Sequence, residues 1–150
     1  MIKTLYLTYD GLLDQLGQSQ IIPYILGINK IAKITIISFE KKTHSTLDIQ
    51  NQADFLSLHG IKWVRLTFTD SLGILGKIYD AIKLLINIII YSLIENSKII
   101  HARGHPCAIF SFPVKIFRKK IIFDFRGLWV DERVDKGSWN LDFYFHKLQY

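Results

Sequence analysis

The chain has 150 residues, 49% of them hydrophobic and 21% charged, and 19 Lys+Arg against 13 Asp+Glu leave a net charge of +6. That apolar mass excludes a disordered tail, and nine glycines with three prolines exclude a collagen-like or low-complexity chain. A lone cysteine, Cys107, excludes a disulfide framework and a cysteine-built zinc site, and the length fits one domain.

The positive charge is mostly lysine, 14 residues against 5 arginines, and it is scattered. There is no arginine-rich arm, zinc finger or RNP-type aromatic motif, so no nucleic acid partner is expected. What remains is a weak attraction to an anionic membrane face or a phosphorylated substrate. The residues after Lys3 lack the apolar core of a signal peptide. The greasiest run, Leu84 to Ile94, is eleven residues long, where a membrane span needs about 20. It reads as a buried or half-buried helix. With a free thiol, this points to a cytoplasmic chain that at most touches the inner face of the membrane.

In chain order, Lys3–Tyr9 reads as a strand and Gly11–Gly17 as a loop. Gln20–Lys30 is helical, with Ile21, Tyr24, Ile25 and Ile28 on one face, Ser19 as its N-cap and Pro23 near its first turn. Ile34–Phe39 is an apolar, β-branched strand buried on both faces. Ser45–His59 is a polar helix that breaks at Gly60, and Ile61–Phe68 alternates as a third strand. Leu75–Asn96 is a long helix and Ile99–Ala102 a fourth strand. Pro106–Arg118 is a helix that Pro113 must kink or shorten. Ile121–Phe125 is a fifth strand, and Leu128–Tyr150 begins as a polar loop and turns helical.

Strand and helix alternate five times with short links. This predicts an α/β domain, a Rossmann-like three-layer unit with a parallel sheet of about five strands and helices on both faces. Ligands in such sheets bind at the carboxyl ends of the strands, where the strand order reverses. The loops after the strands therefore matter most.

The first of these loops, Tyr9–Gln20, holds Gly11, Gln15, Gly17 and Gln18. Five residues separate its two glycines, so it is neither a GxGxxG fingerprint nor a Walker loop. A glycine-bearing loop that feeds a helix presents N–H groups to an anion; the alternative is a turn with two permissive glycines. The fourth loop, HARGHP, offers Arg103 and His105 to a phosphate or hydroxyl, or is a plain polar connection with His101 tucked against the sheet. No third metal ligand and no HExxH motif accompany its histidines. The fifth loop is densest, with Asp124, Arg126, Asp131, Glu132, Arg133 and Asp135 around Gly127 and Trp129. Arg126 directly follows a strand, which suits a guanidinium held for phosphate or carboxylate; a solvated acidic loop is the alternative. Cys107 has no clear base and reads as a buried small residue, and GxSxG is absent.

The strings YDGLLDQLGQSQIIPYILG, IIHARGHP and IIFDFRGLWVDERVDKGSW together resemble the N-terminal half of bacterial family 4 glycosyltransferases. The resemblance covers nearly the whole chain. It implies half of a GT-B fold, two Rossmann-like domains facing a cleft, in which the N-terminal domain binds the acceptor. It implies retaining transfer of a sugar from a nucleotide sugar to a glycan or polyprenyl-linked acceptor, in cell-surface polysaccharide synthesis, usually without a metal or other cofactor.

By the same resemblance, Gly11, Gln15, Gly17 and Gln18 approach donor phosphates and acceptor, and Arg126 with Gly127 fills a cleft-facing catalytic position. Asp131, Glu132 and Arg133 line the acceptor side, and Arg103 and His105 remain candidate substrate contacts. The paired-glutamate motif of the donor domain is missing: Glu40, Glu95 and Glu132 are not eight apart. Residues 1–150 are thus expected to form one N-terminal domain, incomplete at its C-terminus and inactive alone. The alternatives are an accessory binding subunit that pairs with a separate donor-domain chain, a non-functional truncated product, or a small nucleotide-binding α/β protein that uses the first loop.

Overall fold

The structure, a computed structural model, describes residues 1–69 and 73–126. Five strands form one parallel sheet: β1 (Ile2–Thr8), β2 (Ala32–Glu40), β3 (Lys62–Thr67), β4 (Ile99–Arg103) and β5 (Lys120–Asp124). Their order across the sheet is β3-β2-β1-β4-β5. The chain winds outward from β1 to β3, then returns to the other side of β1 for β4. The order therefore reverses between β1 and β4.

Helices α1 (Ile22–Ile28) and α2 (Thr46–Leu58) cover one face, where Ile21, Ile25 and Leu56 pack on Tyr6, Ile34 and Ile36. Helices α3 (Gly73–Ile94) and α4 (His105–Ser111) cover the other. There Leu84, Ile88, Cys107 and the nearby Val114 meet Leu5, Leu7, Ile37, Phe39 and Ile100. β1 and β2 are interior strands buried on both faces over most of their length, as a sheet sandwiched between two helical layers requires. This is the three-layer, Rossmann-like architecture that the alternation of elements predicts.

Two local expectations change. Ser19 does not cap a helix: its hydroxyl donates to the Gln15 carbonyl at 2.7 Å from inside a continuous helical segment. That segment opens with a π-helical turn, Gly17–Ile21, in which the Ile22 N–H reaches back to Gly17 O. The wider turn lies just before Pro23, which has no N–H to offer and whose ring crowds the preceding turn. Beyond α4, Pro113 converts the helix to a 3-10 segment, Phe112–Phe117, which ends with Arg118 in the left-handed region at φ 57°. Pro113 thus shortens the helix expected over Pro106–Arg118, as the sequence predicts. Ser45 likewise caps α2 by accepting from Asp48 N–H at 3.0 Å, and Gly60 ends it at φ 69°, as the sequence suggests.

Candidate functional site

The loops after β1, β2 and β4, with Phe125 and Arg126 after β5, lie at the carboxyl end of the parallel sheet. β1 lies against β4 with Tyr6 opposite His101 and Thr8 opposite Arg103, and β4 lies against β5 with Arg103 opposite Asp124. Alternation puts Tyr6, Thr8, His101, Arg103 and Asp124 on one face. A polar row thus crosses three strands at the carboxyl end, at the point where strand order reverses.

Arg103 is the centre of this row and is only 4% exposed. Its Nη2 donates to Gln20 Oε1 at 2.8 Å, and Asp10 Oδ2 lies 3.7 Å from its Nε. Neither Nε nor Nη1 has a hydrogen-bond partner among the described residues. A buried guanidinium with unaccepted N–H groups is costly unless an acceptor is supplied. Behind it, the His101 ring packs against Tyr6 at 4.8 Å and edge-on against Tyr24 at 5.6 Å. Burial lowers the His101 pKa, with Asp124 pulling it the other way, so the ring is neutral near pH 7. Burial likewise pushes the Tyr6 hydroxyl up to about 12, against the pull of Arg103, so it remains a donor. Tyr24 leaves its outer edge in solvent as an aromatic wall.

Arg126 follows β5 as expected, but its guanidinium is spent locally. Nε and Nη2 donate to Asp124 Oδ2 at 3.0 and 2.9 Å. It borders the crevice, partly exposed, and neutralises the carboxylate beside His101. His105 opens α4 and packs on Phe123 and Phe125, each at 5.3 Å. It therefore faces the flank of β5 and joins an aromatic cluster. Gly127, Asp131, Glu132 and Arg133, with Asp135 and Trp129, lie outside the described residues.

The first loop is built differently from an open anion cradle. Glu40, at the end of β2 and fully buried, accepts from Leu12 N at 2.7 Å, Leu13 N at 3.4 Å and Ser38 Oγ at 2.8 Å. The loop's N–H groups already hold an anion, and it is the protein's own. Burial raises the Glu40 pKa, and these hydrogen bonds oppose the rise. Gly11 and Gly17 are needed for space, since neither has positive φ. A Cβ on Gly11 would meet Glu40 Oε2 at 2.7 Å, and one on Gly17 would strike Gly11 O, Leu12 O and Leu12 C. The loop closes on itself at those two positions. Gln18 secures it, donating to Leu12 O and to Gln52 Oε1, both at 2.8 Å. Gln15 is exposed on the helix entrance.

Cys107 is fully buried, and burial pushes its thiol far above the usual range, which makes it a core residue. Among the described residues no group of three or more His, Cys, Asp or Glu could hold a metal ion, and no helix is long and apolar enough to cross a membrane. Residues that sequence reasoning passed over, Tyr6, Tyr24, Gln20 and Glu40, become visible only through strand order. Glu40 alone left a trace, as an acid closing an otherwise apolar strand.

No family model matches the sequence, and a search of curated proteins finds no match. Among solved structures, the chain is similar to one assigned as a UDP-N-acetylglucosamine 2-epimerase from Listeria monocytogenes, with a TM-score of 0.56 and 15% identity over 90% of this chain. It spans about a third of that protein's length, 34%. At that identity the likeness shows the fold alone, a Rossmann-like three-layer α/β unit.

Proposed function

We propose that this chain is the acceptor-side portion of a glycosyltransferase that moves a sugar from a nucleotide sugar to a glycan or polyprenyl-linked acceptor. The observation that carries the reading is Arg103: a buried guanidinium at the β1/β4 reversal, two of whose nitrogens have no acceptor among the described residues. A phosphate or a sugar hydroxyl supplies the missing acceptor, and the Tyr24 ring offers a flat apolar face for a sugar. The resemblance of the first, fourth and fifth loops to family 4 sequences supplies the reaction class. Neutral His101, a Tyr6 hydroxyl and the Arg126–Asp124 pair complete a site that orients hydroxyls. In this reading donor contacts come from a second domain, so the 150 residues bind acceptor without turnover.

The test is equilibrium binding of a polyprenyl-diphosphate-linked sugar to the wild-type chain and to Arg103→Gln. Saturable binding that weakens about tenfold or more in the variant, with unchanged melting temperature, is expected. Equal binding by both proteins, or sugar transfer from a nucleotide donor by the chain alone, would sink the reading.

The same reading places the enzyme beside its lipid-linked acceptor. The outer face of α3 is apolar and exposed at Ile78, Ile82, Ile86 and Leu93, and the adjoining 3-10 segment exposes Phe112 and Ile116 beside Lys115 and Arg118. Apolar side chains rimmed by cations suit an anionic membrane surface.

A further inference from the structure

Away from the strand-order reversal, a second polar recess lies between the first loop and the N-terminal half of α2. It is an open groove of about 360 Å³ lined by Leu13, Gln18, His44, Asp48, Asn51 and Gln52. Its size falls in the usual range for small-molecule sites, roughly 300–1,000 Å³. Two features separate it from a surface dent.

The first is the fixed amide of Gln52. Gln18 Nε2 spends both its hydrogens, one on Leu12 O and one on Gln52 Oε1. The atom of Gln52 that meets it must therefore be the carbonyl. The Gln52 Nε2 is then turned from Gln18, and on a residue only 8% exposed it has no hydrogen-bond partner among the described residues. The second is His44, whose Nε2 is buried and also unpartnered. Asp14 Oδ1 lies 3.4 Å from it without hydrogen-bond geometry. Both unsatisfied atoms belong to residues that line one groove and lie just beneath its surface, where a ligand's polar groups can satisfy them.

The charge of the groove selects among ligands. Lys41, just beyond the lining, is held by Asp14 at 2.8 Å. Asp48 brings a carboxylate into the wall, with only Oδ2 receiving the Ser45 hydroxyl. A phosphate would meet that carboxylate, and no lysine or arginine lines the groove to offset it. A hydroxyl can donate to Asp48 and exchange either kind of hydrogen bond with Asn51, and a small rotation of the buried Gln52 amide brings its Nε2 within reach as a donor. We infer that this groove binds a neutral saccharide through its hydroxyls. Within the proposed enzyme it would hold an acceptor sugar remote from the reacting one; that role rests on the transferase reading, whereas the binding itself does not.

The test is a titration of the isotope-labelled full chain, followed by NMR, with glucose, N-acetylglucosamine and maltose, and with inorganic phosphate as the anion. The neutral sugars should shift the Asn51 and Gln52 signals saturably, and phosphate should leave them in place. Asp48→Ala with Asn51→Ala, both exposed positions, should weaken binding about tenfold or more, and Gln52→Met should do the same if it folds. Saturable shifts confined to the Asp10–Arg103 crevice, phosphate binding in the groove, or no saturable shift with any sugar would each overturn the inference. The first of those outcomes leaves the transferase reading standing. Groove binding together with Arg103→Gln indifference in the acceptor assay would strike that reading alone.

Discussion

At the scale of single residues, the two glycines of the first loop do work that composition cannot reveal. Gly17 sits against the backbone of Gly11 and Leu12, and backbone cannot step aside as a side-chain tip can. Gly17→Ala should therefore destabilise the chain by about 1–3 kcal/mol, the usual cost of overpacking. Gly27 is the internal control: it is helical, and a Cβ there meets nothing within 4 Å. Gly27→Ala should stabilise by about 0.5–1 kcal/mol. Urea denaturation of both variants checks the pair, and equal shifts of one sign would refute the packing argument. Glu40 holds the same loop from below. Its folded pKa is raised above 4.5, so the folded chain binds that proton more tightly than the unfolded chain does. The associated stability is present below the unfolded pKa and is lost as pH rises through the folded pKa. Glu40→Gln should remove that decline, so the stability difference between variant and wild type should change as pH rises from about 4.5. A difference that stays flat across the window would mean the carboxyl titrates alike in both states.

Among the elements, α3 is tied to the sheet by charge as well as by apolar packing. Asp80, buried in its second turn, accepts from Thr69 N, Thr69 Oγ1 and Lys83 Nζ, each at 2.8 Å. Lys83 also donates to Thr67 O at 2.7 Å, so the pair spans from α3 to the end of β3. Burial alone would raise the Asp80 pKa, but these hydrogen bonds overcome it and hold the group below 3.8. The stability so gained is present above the unfolded pKa and is lost as pH falls through the folded pKa. Asp80→Asn should cost about 2 kcal/mol near pH 7, and the gap to wild type should narrow as pH drops below about 3.8. A constant gap in chemical denaturation across that range would count against the ion pair. The elements themselves were legible in sequence because each carries its own period: the apolar run of β2, the alternation of β3, the Ser45 cap of α2. The entrance to α1 was not, since the π-turn before Pro23 answers a clash within the helix and leaves no compositional mark. The site was half legible for a related reason. Arg103 stands out by directly ending a strand. Its partner Gln20 lies 83 residues away and reaches it only because β4 inserts beside β1. Arg126 looked free for a ligand because the short reach back to Asp124 is a matter of rotamer, which spacing does not state.

The whole molecule is asymmetric in what its two helical layers show to the outside. The inner stripe of α3, with Gly76, Asp80, Leu84, Ile88 and Ser92, is buried, yet its outer side carries isoleucines, with Ile82 50% and Ile86 49% exposed. An ordinary surface helix is polar there. The 3-10 segment packs beside α3 and continues the apolar surface through Phe112 and Ile116, and Lys115, Arg118, Lys119 and Lys120 follow within nine residues of Phe112. If this surface meets the membrane that bears a lipid-linked acceptor, the chain should co-sediment with vesicles containing phosphatidylglycerol and much less with pure phosphatidylcholine. Salt should weaken the association, because the screening length shrinks from about 10 Å at 0.1 M to about 3 Å at 1 M. Lys115→Gln with Arg118→Asn should lower the binding free energy by about 1 kcal/mol for each charge removed; asparagine tolerates the left-handed backbone at 118. Ile82→Glu with Ile86→Glu should reduce binding to both vesicle types without unfolding the chain, since both positions already face outward. Self-association in sedimentation experiments, abolished by the same isoleucine substitutions and accompanied by no vesicle binding, would assign the face to a second copy of the chain and remove the membrane from the account.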